Sequence, residues 1–100
     1  MIDTRNPLFT LGQIVATPGA LGALEKAGQT PMEFIQKHVR GDWGVVCEED
    51  AKANEQSLKD GSRILSVYHL KTGQKVWIIT EAADDHGRRE ATTLLLPDEY

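Results

Sequence analysis

An α+β fold is what this sequence predicts: three N-terminal helices packed on a three- to four-stranded, mainly antiparallel sheet that ends as a C-terminal β-meander. Three observations carry that prediction. The runs Arg63–Leu70, Lys75–Glu81 and Glu90–Leu96 are rich in β-branched, aromatic and aliphatic residues. The break between the first two, Lys71-Thr-Gly-Gln74, is a tight glycine-containing turn. The residues ahead of Arg63 instead carry helix start and stop signals, and a sheet this short needs helices to cover a face.

The leading residues, Met1 to Thr10, read as an arm, loosest up to Pro7, and Gln13-Ile-Val-Ala16 reads as a short strand. Thr17-Pro18 then opens a helix, because a threonine hydroxyl can accept from a free first-turn amide and proline fits the first helical position. That helix runs to Ala27 with Leu21 and Leu24 inward and stops at Gly28, while Gly19 and Gly22 permit close approach of another element. Thr30-Pro-Met-Glu33 has the form of a capping box for the next helix, whose Phe34, Ile35, His38 and Val39 share one face and which ends at Gly41. A third helix over Glu48 to Lys59, closed by Gly61, has its acids in the first turn, where the helix dipole favours them. Its inner stripe is Ala51, Asn54 and Leu58, with an amide where an aliphatic residue is expected.

In the strands, alternation sets Ile64, Ser66, Tyr68 and Leu70 against Leu65, Val67 and His69, and Val76, Ile78 and Thr80 against Trp77, Ile79 and Glu81. Apolar residues occur in both sets, so both faces are at least partly covered.

The chain has 100 residues, the size of one domain, and its net charge of -4 argues against a dedicated duplex-DNA binder, which presents a basic face. A lone cysteine, Cys47, excludes an intramolecular disulfide and suits a reducing compartment. No secretory leader and no apolar run near the ~20 residues of a membrane span are evident, so a cytoplasmic location without membrane contact is expected. The histidines stand far apart, so neither a metal site nor a cofactor is expected.

Gly41-Asp-Trp-Gly44 reads either as a helix-stop loop pinned by a buried indole, or as a cleft edge where Asp42 steadies His38. His38 reads either as a core imidazole or as a general base. Asn54, if buried, needs a partner, because an unpaired amide costs roughly 1–3 kcal/mol. The loop from Gly41 to Gly44 and a ligand are both candidates for that partner. Arg63 with a threonine such as Thr80 could hold a phosphate, or Arg63 could pair with Glu81 across the sheet. Asp84-Asp-His-Gly-Arg-Arg89 reads as a solvated loop.

Taken together, Gly41-Asp-Trp-Gly44, Glu49-Asp50 with Asn54, Gly61-Ser-Arg-Ile-Leu-Ser66 with Tyr68, Trp77-Ile-Ile-Thr-Glu-Ala82 and Thr92-Thr-Leu-Leu-Leu-Pro97 with Glu99-Tyr100 resemble a family of small bacterial plasmid-related proteins. The resemblance, extended by Gln13–Leu21, spans nearly the whole chain and implies association with mobile DNA, without an activity to carry over. The stretch Ala82–Glu90 departs from the family pattern, leaving open whether Arg88 or Arg89 takes the family arginine position. A more distant likeness is to the barnase–EndoU–colicin–RelE-like ribonucleases, which would put His38, Arg63 and Thr80, with Ser66 and Thr92 as further candidates, to metal-free RNA cleavage.

The expected function is therefore a non-enzymatic accessory protein of mobile DNA that binds a protein partner, in an antirestriction or inhibitor role. Its expected binding residues are Asp42, Trp43, Asn54 and Tyr68. The alternative is the ribonuclease, with RNA as partner. A homodimer through an exposed sheet edge or through Leu94-Leu-Leu-Pro97 is compatible with either.

Overall fold

The computed structural model describes residues 7–100, so the arm expected over residues 1–6 lies outside the described residues. The elements are β1 (Gln13–Ala16), α1 (Pro18–Ala27), α2 (Pro31–Val39), α3 (Glu48–Asp60), β2 (Ile64–His69), β3 (Lys75–Thr80), β4 (Ala91–Leu95) and a one-turn helix at Pro97–Glu99. The fold is α+β, with three helices and a four-stranded mixed sheet ordered β1-β4-β3-β2.

Within the sheet β2, β3 and β4 pair antiparallel, while β1 runs parallel to β4 with Gln13 opposite Ala91 and Ala16 opposite Leu94. A parallel neighbour requires a long crossover, and here all three helices and two strands lie inside it. The expected division into a helical front and a strand back is therefore not strict: one strand precedes the helices and a helical turn follows the sheet. Leu94 and Leu95, part of the segment considered for pairing with a second copy, lie in β4 between β1 and β3 and so are not at an edge of the sheet.

One sheet face carries Tyr68, Val76, Ile78 and Leu94, and against it pack Ala20, Ala23 and Leu24 of α1 and Phe34 and Ile35 of α2. The large ones among them, such as Leu24, Phe34, Val76, Ile78 and Leu94, each contribute about 1.5–3 kcal/mol. Leu21, expected inward, is 48% exposed. The buried row is Ala20, Ala23, Leu24 and the partly buried Ala27, spaced as one helical face, and Leu21 falls outside it.

The helix starts differ from one another. Thr17 caps α1 as expected, its Oγ1 accepting from the Ala20 amide at 3.0 Å. At α2 the capping box is not formed: Thr30 makes no side-chain cap bond, and the Glu33 carboxylate accepts instead from Gln29 Nε2 at 2.8 Å. Gln29 Oε1 in turn accepts from the Lys71 amide at 2.9 Å, so the α1–α2 loop is tied to the β2–β3 turn. Residues 7–10 are not a loose arm either, since Leu8 N–H donates to Val39 C=O at 2.9 Å and the Phe9 ring sits edge-on to His38 at 5.1 Å. Among the described residues no helix is long and apolar enough to cross a membrane.

The end of the chain docks on the start of α1. Glu99 Oε1 accepts from Thr17 Oγ1 at 2.5 Å and from the Leu96 amide at 2.8 Å. These bonds hold the Glu99 carboxyl below its ordinary pKa. A depressed carboxyl gives an interaction that is complete above the unfolded value and lost as pH falls through the folded one. Acidification is thus expected to release this contact only below the ordinary carboxylate range: the Leu96 amide resonance should shift with a midpoint below 4.5, and Glu99→Gln should abolish that titration in an NMR pH series.

Candidate functional site

His38 has no exposed surface. From α2 it enters a line of polar side chains on the helix-covered face of the sheet. Its Nδ1 lies 2.5 Å from Ser66 Oγ on β2 and its Nε2 2.8 Å from Thr80 Oγ1 on β3. Thr80 Oγ1 lies 2.8 Å from Thr92 Oγ1 on β4, and Thr92 donates to the Leu11 carbonyl at 2.8 Å.

That carbonyl sets the direction of every bond in the line. A carbonyl only accepts, and each hydroxyl has one hydrogen to give. Thr92 spends its hydrogen on Leu11, so Thr80 donates to Thr92, and His38 Nε2–H must donate to Thr80. In the neutral imidazole Nδ1 then accepts from Ser66. The ring is therefore the neutral Nε2–H tautomer. Burial, and secondarily the Arg89 charge, pull its pKa down to about 3.

Of the three groups expected to carry catalysis, His38 and Thr80 meet and Arg63 does not join them. Arg63 Nη1 donates to Tyr100 Oη at 2.6 Å, and Tyr100 packs on Trp77. Trp77 points to the opposite sheet face from Thr80, three residues along the same strand. The sheet thus separates Arg63 from His38. The alternative Arg63–Glu81 pair is not formed among the described residues either. A general base must reach the proton it removes, and an enclosed imidazole with both nitrogens engaged has no such access.

The four expected binding residues do gather, as the seal of a sheet edge. In β2 the backbone groups of Leu65 and Val67 point away from β3. Asn54 acts as a substitute strand: its Nδ2 donates to Leu65 C=O at 2.6 Å and its Oδ1 accepts from Leu65 N–H at 3.0 Å. Val67 N–H donates to Trp43 C=O at 3.1 Å, and Val67 C=O accepts from Val45 N–H at 2.7 Å. The outward donors and acceptors of Leu65 and Val67 are all satisfied. This requires glycine at Gly44, which has φ +75 and would place a Cβ 1.9 Å from the Val67 carbonyl oxygen.

Side chains hold the sealing segment down. Tyr68 Oη donates to Asp42 C=O at 2.5 Å, and burial raises the phenol's pKa. Trp43 is buried, its Nε1 donating to Glu55 at 3.0 Å and its ring lying 6.2 Å from Phe9. Asp42 is exposed and accepts from the Gly44 amide at 3.1 Å, so it closes a local turn and does not steady His38. Asn54 binds β2 backbone rather than the loop from Gly41 to Gly44. Trp43, Asn54 and Tyr68 are all buried, which leaves only Asp42 of this set accessible to a partner.

Two structural residues escaped the sequence reading. Arg89, placed in a solvated loop, is 7% exposed. It donates to the carbonyls of Ser62 at 2.7 Å, Glu81 at 3.0 Å and Ser57 at 3.1 Å, and its guanidinium lies over Phe9 at 5.7 Å. Three carbonyls, one of them in the last turn of α3, offset the charge that burial would otherwise expel. Ser57 replaces Leu58 on the inner stripe of α3, its one hydroxyl hydrogen shared between Ala53 C=O at 2.8 Å and Arg63 C=O at 3.0 Å. Spacing three residues after Asn54 was a usable signal for Ser57, but nothing in Asp84–Arg89 marks which arginine turns in.

Two concavities of similar size open to solvent: one of about 440 Å³ with charged members Lys59, Asp60, Asp84 and Arg89 in its lining, and a groove of about 430 Å³ between residues 7–11 and α2. Pro7, Phe9, Leu11, Met32, Ile35 and Val39 line the groove, with only Thr10 and Gln36 as polar members. Met32 is half exposed at its rim. No family model matches the chain, and no curated protein or solved structure does so either.

Two outcomes follow from the enclosed groups. An imidazole that stays neutral when folded but charges when unfolded contributes stability that is intact above 6.5 and declines as pH falls toward about 3. Urea unfolding between pH 6.5 and 5 should therefore lose up to about 1.4 kcal/mol per pH unit, and ¹⁵N spectra at pH 5 should show His38 as the neutral Nε2–H form. Asn54→Leu leaves a donor and an acceptor of Leu65 unpaired, each costing about 1–3 kcal/mol, and should lower the urea midpoint sharply while its far-UV circular dichroism stays that of the wild type.

Proposed function

We propose that this chain is a non-enzymatic binding protein, an accessory of mobile DNA, that acts by docking an apolar segment of a protein partner in the groove between residues 7–11 and α2. The observation that carries this reading is a contrast in access. The cluster of His38, Ser66, Thr80 and Thr92 is enclosed and paired, whereas the groove between residues 7–11 and α2 is open and lined almost wholly by apolar side chains. Concave, mostly apolar sites with a few polar groups are the usual form of a binding site.

The net charge of -4 and the exposed acids of the first turn of α3 favour a partner with a basic rim around its apolar anchor. The link to mobile DNA rests on the resemblance of Gly41–Gly44, Arg63–Tyr68 and Trp77–Ala82 to plasmid-related proteins. An inhibitor or antirestriction role is the form of partner binding that such a setting favours. Nothing in the enclosed histidine cluster favours the ribonuclease reading.

Met32→Glu puts a charge into the groove wall at a half-exposed position and should leave the fold intact. Affinity capture from cells that naturally carry the chain, with protein and RNA both identified, should retain one protein on the wild type. Met32→Glu should reduce its recovery by roughly tenfold or more, the scale of an interface hot spot. Equal recovery on both, or enrichment of RNA instead, would overturn the proposal.

A further inference from the structure

The two edges of the sheet are treated oppositely. At β2 every outward group of Leu65 and Val67 is bonded to Asn54, Trp43 or Val45. At β1 the Gln13 amide bonds to Glu90 C=O at 2.9 Å and the Thr17 amide to Leu94 C=O at 3.0 Å, so the odd residues face β4. The N–H and C=O of Ile14 and the N–H of Ala16 therefore point away from the sheet, and no described residue forms a further strand there.

The side chains of this edge are open as well. Ile14 is 42% exposed on one face and Val15 38% on the other. Leu21, one turn into α1, is 48% exposed, and Gly22 beside it has open space where a side chain would stand. The strand Gln13–Ala16 has no charge and no proline, and these are the usual devices that keep an edge from pairing.

We infer that β1 is a self-association edge: two copies pair their β1 strands antiparallel about a two-fold axis through Ile14, joining two four-stranded sheets into one. In that arrangement Ile14 exchanges both its backbone bonds with Ile14 of the second copy, and the two β-branched side chains meet on one face. An uncharged strand meets itself without the like-charge repulsion that a charge near the axis of a two-fold seam would impose. The four-residue ladder is short, so the interface falls at the small end of specific contacts and the dimer dissociates at on the order of tens of micromolar. Each copy carries -4, so added salt screens their repulsion and tightens the pair. A basic partner on the same edge would respond in the opposite sense.

Sedimentation over a concentration series tests this, with amide hydrogen exchange as the second measurement. The wild type is expected to dimerise, more tightly in higher salt, and Ile14→Lys to weaken the dimer at least about tenfold. On the wild type alone, exchange at Ile14 and Ala16 should slow as concentration rises, while Gln13 and Val15, already bonded to β4, should not change. A monomer up to about 1 mM, an equal dimer in Ile14→Lys, or concentration-independent exchange at Ile14 and Ala16 would each overturn the inference. The groove is not part of this edge, so Met32→Glu should dimerise like the wild type.

Discussion

The Leu11 carbonyl is the constraint from which the interior is organised. It can only accept, and that fact propagates through Thr92, Thr80 and His38 to Ser66, giving each hydroxyl and each ring nitrogen one role. The line crosses β4, β3 and β2 and draws in α2 and the segment before β1. Apolar packing alone tolerates small slips between layers, whereas a directed line of five groups does not. The interior is thus specified by polarity at a position where leucine or valine would have filled the volume. Phe9 and Trp43 then close over the imidazole and keep water from competing for its bonds.

The same economy governs the rim. Asn54 supplies one donor and one acceptor in the spacing of a neighbouring strand, and Arg89 gathers three carbonyls from the ends of α3, β3 and the turn between α3 and β2. Helix α3 is poor in apolar residues, and its buried members are Asn54 and Ser57. It attaches to the sheet by hydrogen bonds rather than by an apolar stripe. Polar residues that invite a catalytic reading in the sequence thereby serve the architecture.

Much of the local structure was legible. Thr17-Pro18 opens α1, the face of Phe34, Ile35, His38 and Val39 is buried, and alternation groups Ile64, Ser66 and Tyr68 on one face, which the structure shows to be the buried one. These are short-range signals, in which propensity and periodicity act within a few residues. Pairings across the chain were not legible. No local pattern says that Gln13–Ala16 lies beside β4, that Glu33 answers Gln29 rather than Thr30, or that Arg63 faces Tyr100. The histidine was correctly placed in the core as one of two readings, but its partners on three strands depend on register, which the sequence does not display. Arg89 shows the same limit most sharply: in a hexapeptide of charged and small residues, burial is decided by carbonyls contributed from elsewhere.

The place of β1 has a kinetic side. Among the described residues its one neighbour in the sheet, β4, is made after all three helices and both other strands, so that pairing waits while the rest of the chain emerges. Non-local pairing of this kind slows folding and leaves an adhesive segment bare in the meantime. The edge at β2 closes much earlier, from segments synthesised just before it. Until β4 is made, Gln13–Ala16 lacks the strand it lies beside in the finished sheet, and the time to finish β4 sets how long that window stays open.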